Sequence, residues 1–127
     1  MDNAELDDIL LAKNGAEKDF KLEWEWWRYM IDGKLFAALL RPSIKYDSEY
    51  AEHDLLTIKC DPLYSEQLRA EYPDILPGFY TDKRNWISIR LDSDVPNELI
   101  VELCEHSYRL VLSKLTKKRQ REISEQT

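Results

Sequence analysis

The spacing of hydrophobic residues along the chain predicts three helices and four strands. Apolar residues recur at every third or fourth position in the helical segments Asn3–Lys13, Pro62–Tyr72 and Asn97–Leu115. Aromatic-rich, continuously apolar or alternating segments predict strands at Trp24–Ile31, Lys34–Leu40, Leu55–Cys60 and Trp86–Leu91. No repeat, low-complexity tract or linker interrupts these elements, so residues 1–127 are expected to form a single domain.

Short local signals mark the ends of these elements. The dipeptide Asp32-Gly33 lies between the first two strands and is typical of a two-residue hairpin turn, which predicts that those strands pair antiparallel. Asp61 can cap the second helix, with Pro62 at its first helical position. Two segments without a period are predicted to be loops, Arg41–Asp54 and Pro73–Asn85. The first of them is expected to be a long loop, or a frayed hairpin that protrudes from the sheet.

The longest helix is expected to pack on one face of an antiparallel sheet through Ile100, Cys104 and Val111, which predicts an α+β fold. The chain starts with acidic residues and contains no long apolar stretch, so neither a signal peptide nor a membrane span is expected. A cytoplasmic location follows, in which Cys60 and Cys104 are expected to be reduced core thiols.

Charge is distributed unevenly along the sequence. The formal net charge is −7, which by itself argues against a nucleic-acid partner, because phosphate affinity comes from Lys and Arg. Residues 1–25 hold eight acids against three bases, whereas residues 114–121 hold five bases and no acid. The local charge therefore matters more for the choice of partner than the total.

Four sequence segments follow one another in a distinctive order. They are Gly33–Ala37, Ile58–Pro62, Tyr72–Gly78 with its continuation Lys83–Trp86, and Ser107–Val111. In this order and at these spacings the chain resembles the MmcQ/YjbR family. The resemblance implies an antiparallel sheet with helices packed on one face, a frataxin/CyaY-like two-layer sandwich. It also implies binding of double-stranded DNA through protruding loops, an arrangement known as a double wing.

No combination of residues predicts a catalytic or metal centre. Cys104 and His106 are close in sequence, but side chains two positions apart on a helix point in nearly opposite directions. The acidic segment around Asp47, Glu49 and Glu52 lacks the glycine and the ligand period of a calcium loop, so a solvated loop explains it better. The protein is therefore expected to be non-enzymatic and to hold no cofactor or metal.

The aromatic residues of the first predicted strand have two interpretations. Trp24, Trp26, Trp27 and Tyr29 suggest a stacking platform for nucleic-acid bases, but aromatic residues on a strand more often belong to the core. Strand alternation predicts that Trp24 and Trp26 share one face and that Trp27 and Tyr29 share the other. At most one of those pairs is then expected to be exposed.

Two groups of basic residues are the candidate phosphate contacts. One lies in the loop before the last predicted strand, and the other follows the last predicted helix, so both are expected to converge on one side of the sheet. The candidate nucleic-acid-binding residues are Lys83, Arg84, Asn85, Lys117, Lys118, Arg119 and Arg121. Asn85 is expected to reach a base edge or a sugar. The simpler interpretation of the second group is favourable positive charge at the C-terminus of a helix.

The leading hypothesis is a monomeric, non-enzymatic binding module for duplex DNA with little sequence specificity. The alternative is a protein-interaction domain whose acidic loop and first helix bind a basic partner protein. One continuous positive surface would favour DNA, and scattered bases would favour the protein partner.

Overall fold

The structure, a computed structural model, describes residues 1–125. In chain order its elements are α1 (Asn3–Leu11), β1 (Ala16–Lys21), β2 (Trp26–Ile31), β3 (Lys34–Leu40), β4 (Leu55–Lys59), α2 (Pro62–Glu71), β5 (Ile75–Pro77), β6 (Trp86–Arg90), α3 (Asn97–Leu112) and α4 (Lys117–Ser124). The strands form one antiparallel sheet in the order β1-β2-β3-β4-β6-β5. The predicted α+β fold with an antiparallel sheet is confirmed.

The hairpin of β2 and β3 forms as predicted, although β2 begins two residues later. Asp32 and Gly33 have φ values of 50° and 73°, the left-handed pair that a type I′ turn requires. Trp24 and Glu25 belong instead to the turn that joins β1 to β2. Glu25 has a φ of 58°, which is incompatible with an extended strand, so the strand cannot include it.

Three elements were not predicted from the sequence, because each has too few residues or too few apolar residues to show a recognisable hydrophobic repeat. β1 is an edge strand with the sequence AEKDFK, whose only apolar residues are Ala16 and Phe20. β5 has only three residues, too few to show a period, and lies within the segment predicted to be a loop. α4 has a single buried residue, Ile123, and follows α3, which ends at Leu112 rather than at Leu115.

The main core lies between the sheet and the helices. Ile100, Cys104 and Val111 of α3 are all buried in it, as the sequence predicted. The hydroxyl of Ser107 donates to the carbonyl of Phe36 at 2.6 Å and accepts from the Lys59 backbone N–H at 2.9 Å. These two bonds fix α3 against β3 and β4.

The opposite face of the sheet has no helix and is covered by loops. Its buried residues are Trp26, Ala38, Leu40, Tyr50, Leu55, Leu76 and Phe79. The loop of residues 41–54 crosses this face, and the Tyr50 hydroxyl donates to the Pro77 carbonyl at 2.7 Å. The predicted loop is therefore confirmed, but it packs onto the sheet and does not protrude as a frayed hairpin.

Candidate functional site

The antiparallel register brings the two predicted basic groups to the same end of the sheet. Ile31 pairs with Lys34, and Lys59 pairs with Trp86, so the β2–β3 turn and the loop before β6 lie at one end. α4 lies at this end as well, because Arg119 binds Asp32 of the turn. We call this region the basic end and define it by Lys34, Lys59, Lys83, Arg84, Lys117, Lys118, Arg119 and Arg121.

The other end of the sheet carries a group of ten acidic side chains. The β1–β2 turn, the loop of residues 41–54 and the β6–α3 connection all lie there. The start of α1 lies there too, since the Met1 ammonium donates to the Asn97 carboxamide oxygen at 3.4 Å. We call this region the acidic end and define it by Asp2, Glu5, Glu23, Glu25, Asp47, Glu49, Glu52, Asp92, Asp94 and Glu98.

In the loop before β6, two of the three predicted contact residues stabilise the loop itself. The ammonium of Lys83 donates to the Gly78 carbonyl at 2.8 Å. The Asn85 carboxamide donates to the Asp82 carboxylate at 2.5 Å, and this bond lowers the pKa of Asp82. The Arg84 side chain is exposed and forms no ion pair within residues 1–125. Arg84 is thus the loop side chain that is available to a ligand.

The second basic group is a helix and not the tail that the sequence predicted. Thr116 caps α4 with its hydroxyl, which accepts from the Arg119 backbone N–H at 3.1 Å. Ile123 is buried against Gly15 and Ile31, so close that a Cβ added to Gly15 would lie 3.2 Å from it. α4 buries only one apolar residue, so the sequence holds no repeat of apolar positions by which this helix could be recognised.

Arg119 joins α4 to the hairpin turn. Its Nε and Nη2 atoms both donate to the Asp32 carboxylate, each at 2.8 Å, and this lowers the pKa of Asp32. Lys117, Lys118 and Arg121 are exposed, and none of the three has an ion-pair partner in the described part of the chain. Three of the four predicted bases on this segment are therefore free.

The simpler interpretation, positive charge at the C-terminus of a helix, fits one of these bases, Arg121, which lies in the last turn of α4. Positive side chains stabilise a helix near its C-terminus, but Lys117 and Lys118 occupy the first turn of α4. There the helix dipole is already positive, so both lysines raise the local potential instead of balancing it. Helix electrostatics therefore accounts for Arg121, in the last turn of α4, but not for Lys117 or Lys118.

The two basic groups share an end of the sheet but not one compact patch. α4 contacts β2, and the loop of residues 78–85 leads into β6, which is three strands away in the sheet. At the usual spacing of strands this separation is roughly 14 Å. Lys34 and Lys59 lie on the strands between them. The bases therefore lie at one end of the sheet, but they are spread along it and do not form one continuous positive surface.

The four aromatic residues divide between the two sheet faces as alternation predicted. Trp24 packs edge-on against Trp26 on the helix-free face, with ring centroids 5.3 Å apart, while Tyr29 lies in the main core. The prediction that at most one pair is exposed also holds, because neither pair is exposed as a whole. Trp26 and Tyr29 are buried, and Trp24 and Trp27 are about half exposed, so each pair contributes one residue to the surface.

A groove on the helix-free face was not anticipated from the sequence. It has a volume of about 630 Å³ and continues into a smaller cavity of about 190 Å³ with which it shares Trp24, Trp26 and Tyr80. We call it the aromatic groove; its lining residues are Trp24, Trp26, Leu35, Tyr80, Thr81 and Lys83. Tyr80 lies in a loop that shows no hydrophobic repeat. Its aromatic side chain was therefore the one feature of the sequence that could have indicated this groove.

Both cysteines are buried, as predicted. Burial raises the pKa of Cys60 and that of Cys104 to about 12, so both are unreactive thiols at neutral pH. His106 contacts a different element, since its Nε2 accepts from the Asp61 backbone N–H at 3.2 Å. Among residues 1–125 no group of three His, Cys, Asp or Glu side chains is placed to hold a metal ion. None of the described helices combines the length and apolarity that a membrane span needs.

Comparison with known proteins identifies the relatives of this chain. The model of the YjbR family matches residues 11–110. The uncharacterised protein YjbR of Escherichia coli K12 is 25% identical over 118 residues, which cover 93% of each chain. The uncharacterised protein YyaQ of Bacillus subtilis is 43% identical over 61 residues, about half of each chain.

Solved structures share the same fold. The crystal structure of Deinococcus radiodurans protein DR2400, a DUF419 domain, superposes with a TM-score of 0.80 and 28% identity. That match covers 95% of this chain and 86% of the other. A crystal structure of a Pseudomonas syringae protein gives a TM-score of 0.72 at 23% identity, over 87% of this chain and 99% of the other.

Proposed function

We propose that this chain, which belongs to the YjbR family, is a non-enzymatic module that binds duplex DNA through the basic end of its sheet. The observation that carries the proposal is the set of exposed bases on α4, Lys117, Lys118 and Arg121, which have no ion-pair partner within residues 1–125. Arg84 adds a fourth such base at the same end. Packing explains none of these bases, and helix electrostatics explains only Arg121, in the last turn of α4, so they are available to an external anion.

The interaction expected from four bases is weak, sensitive to salt and indifferent to sequence. Neutralisation of about four phosphates gives a slope near −3.6 for log affinity against log salt. The dissociation constant for such non-specific binding is on the order of 10⁻⁴ to 10⁻⁶ M at physiological salt. Contacts to phosphates set the position of a protein on DNA but carry no sequence information.

A titration of fluorescently labelled duplex at about 50 mM salt tests the proposal by anisotropy. The variant Arg84→Gln/Lys117→Gln/Lys118→Gln/Arg121→Gln is expected to lose most of the affinity and nearly all of the salt slope. The matched control is Arg41→Gln/Lys45→Gln, which removes two bases next to the acidic end and is expected to bind almost as the wild type does. Absence of wild-type binding, or an equal loss in the control, would contradict the proposal.

A second candidate function uses the acidic end to bind a basic partner protein. What favours it is that Asn3, at the start of α1, shares a cavity with Arg41 and Asp54, the ends of the loop in which Asp47, Glu49 and Glu52 are all exposed. Titration with an oligolysine peptide discriminates between the two functions. If this candidate is correct, Glu49→Gln/Glu52→Gln lowers the affinity for the peptide while the quadruple variant of the basic end does not.

We also propose that the domain is a frataxin-like sandwich that acts in the cytoplasm. Confinement of the helices to one face of a single antiparallel sheet supports the fold assignment. Two free buried thiols, Cys60 and Cys104, suit a reducing compartment. Superposition on a frataxin structure and localisation of a tagged chain test these two assignments.

A further inference from the structure

The two edges of the sheet differ in how much unpaired backbone they offer. β5, at one edge, has only three residues and ends in Pro77, which has no N–H to donate to a further strand. β1, at the other edge, has six residues, and within residues 1–125 only β2 pairs with it. The outer N–H and C=O groups of β1 can therefore pair with a strand from another molecule.

Two aromatic rings lie beside this open edge, on the face that carries the helices. Phe20 of β1 and Trp27 of β2 are cross-strand neighbours with ring centroids 4.7 Å apart, yet they are 41% and 45% exposed. Leu22, directly after β1, is exposed as well. Apolar side chains that are gathered in one place and left in solvent mark an interaction surface.

The charges of β1 alternate in sign along the strand, as Glu17, Lys18, Asp19 and Lys21. Charged residues on an edge strand usually prevent pairing, but alternating charges repel a second copy of the same strand only in some registers. Two copies pair antiparallel across a two-fold axis. The axis must pass through a residue and not between two, because residues that face each other across a ladder point to the same side of the sheet.

Two positions of the axis pair five residues of β1, and an axis at Phe20 pairs only three. With the axis at Lys18, that lysine faces the partner's Lys18 and Glu17 faces the partner's Asp19, so like charges meet. With the axis at Asp19, Glu17 faces the partner's Lys21, and by symmetry this contact occurs twice. Opposite charges directly across a ladder stabilise it and like charges destabilise it, so the second register is favoured.

The one like-charge contact in the favoured register is already neutralised. Asp19 lies on the axis and faces the partner's Asp19, but its carboxylate accepts two hydrogen bonds from the Arg28 guanidinium, at 2.8 and 2.5 Å. Each copy therefore brings an ion pair to the axis and not a bare carboxylate. The repulsion between the two aspartates is correspondingly reduced.

The charges that meet in this register are weakly engaged within the chain. Glu17 forms no ion pair in the described residues. Lys21 has two exposed neighbours, the Glu23 carboxylate at 3.6 Å and the Trp24 ring, whose centroid is 5.4 Å away. Exposed contacts of this kind contribute little, so Lys21 can turn to a carboxylate across the ladder.

The same register covers the exposed rings. Phe20 and the partner's Phe20 become diagonal neighbours about 7–8 Å apart, which is within reach of aromatic side chains. Antiparallel pairing also sets the acidic end of each copy beside the basic end of the other, because β1 runs from the basic end at Ala16 to the acidic end at Lys21. Parallel pairing would set like ends side by side.

We propose that two copies of this chain associate through β1, with the two-fold axis at Asp19, into one continuous sheet of two times six strands. A second copy is the occupant of the open edge, because the order of charges in β1 complements itself. This association replaces the monomer expected from the sequence and does not depend on DNA binding. One strand pair carries the interface, so a dissociation constant on the order of micromolar or weaker is expected.

Charge reversal tests the register by sedimentation equilibrium. Glu17→Lys and Lys21→Glu each make both symmetric contacts repulsive, so each variant is expected to weaken self-association by about tenfold. Mixed in equal amounts, the two variants are expected to associate with each other as tightly as the wild type does, because every contact then joins opposite charges. Recovery in the mixture also shows that both variants are folded. The matched control Glu66→Lys reverses an exposed acid of α2 and leaves the association unchanged.

Cross-linking tests the position of the axis. A residue on the axis faces its own copy, with Cα atoms about 4.5–5.5 Å apart, a separation that a disulfide spans. Asp19→Cys is therefore expected to form a disulfide-linked dimer on mild oxidation, whereas Lys18→Cys and Phe20→Cys are not. Cys60 and Cys104 do not interfere, because both are buried.

Three results would overturn the proposal. One is a wild-type protein that remains monomeric at about 1 mM, since so weak an association is no specific interface. A second is a dimer that Glu17→Lys and Lys21→Glu leave unchanged, which would place the contact on another surface. The third is cross-linking through Lys18→Cys or Phe20→Cys in place of Asp19→Cys, which would assign a register that the charges of β1 do not favour.

Discussion

The two ends of the sheet differ in how their charges are held as well as in sign. At the basic end the bases of α4 are carried by a helix that is fixed by buried Ile123 and by the paired contact between Arg119 and Asp32. At the acidic end many of the acids project from a loop, where Glu49 and Glu52 are exposed. Bases that are held in fixed positions can match the regular spacing of phosphates. Acids on a loop mainly make the local electrostatic potential negative.

This difference shows why the net charge of −7 does not describe either binding surface. β3 has seven residues and spans roughly 23 Å from one end of the sheet to the other. The Debye length at physiological salt is only about 8 Å, so exposed charges at one end are largely screened from a ligand at the other. A polyanion that binds at the basic end is therefore affected mainly by the charges of that end. The following predictions test whether the charges of the two ends act separately.

The largest effect is expected from loss of the anchor of α4. Ile123→Ala leaves a cavity against Gly15 and Ile31, and it is expected to lower the free energy of unfolding by about 2–4 kcal/mol. Urea unfolding measures the change. Ser124→Ala, at the exposed neighbouring position, is expected to unfold as the wild type does. If Ile123→Ala is equally stable, α4 is not fixed to the sheet and the two ends do not differ as described.

In the loop before β6, substitution of Lys83 is expected to lower the stability of the fold, whereas substitution of Arg84 is not. Lys83→Met removes the hydrogen bond to the Gly78 carbonyl and is expected to cost about 1 kcal/mol of stability. Arg84→Met removes an exposed side chain and is expected to change stability by less than about 0.5 kcal/mol. Thermal unfolding of both variants measures this contrast, and equal losses would show that Arg84 is also structural.

The ion pair between Arg119 and Asp32 makes the docking of α4 on the hairpin turn depend on pH. Because hydrogen bonds from Arg119 lower the pKa of Asp32, the pair stabilises the fold above the unfolded pKa of about 3.9. That contribution is lost as pH falls through the lower pKa of the folded state. Titration of the Asp32 carboxyl by NMR is expected to show the lowered pKa, and Arg119→Gln is expected to restore the ordinary value. An unchanged pKa in Arg119→Gln would mean that α4 does not dock on the turn.

The smallest effect is expected from neutralising the acidic end. Glu49→Gln/Glu52→Gln removes two acids that lie beyond the Debye length from the basic end, so duplex affinity is expected to rise by less than about twofold at physiological salt. Anisotropy titration at that salt measures the change. A rise in duplex affinity of about tenfold would show that charges at the acidic end influence DNA that is bound at the basic end.

The parts of the fold that the sequence predicted are those with a strong local signal. The hairpin at Asp32-Gly33 follows from turn chemistry, and the cap by Asp61 is present, since its carboxylate accepts from the Leu63 backbone N–H at 3.0 Å. The burial of Cys104 follows from the helical period of α3. Each of these features depends on residues that are close together in the sequence.

The parts of the site that escaped prediction depend on tertiary contacts. α4 forms because Ile123 finds a pocket beside Gly15, more than a hundred residues away in the chain. The engagement of Lys83 and Asn85 within their own loop also could not be foreseen, because nothing in the sequence distinguishes them from Arg84. The aromatic groove is lined by both Trp24 and Tyr80, which are far apart in the sequence, so the strand order must be known before the groove can be predicted.

The most direct test of charge segregation is an amide chemical-shift titration of the whole chain with a short duplex at low salt. Binding at the basic end predicts that the largest shifts fall on α4, residues 117–121, and on Arg84. It predicts little change in the loop of residues 41–54. Shifts centred on that loop, or no shifts at all, would contradict the claim that the protein binds DNA through one end of its sheet.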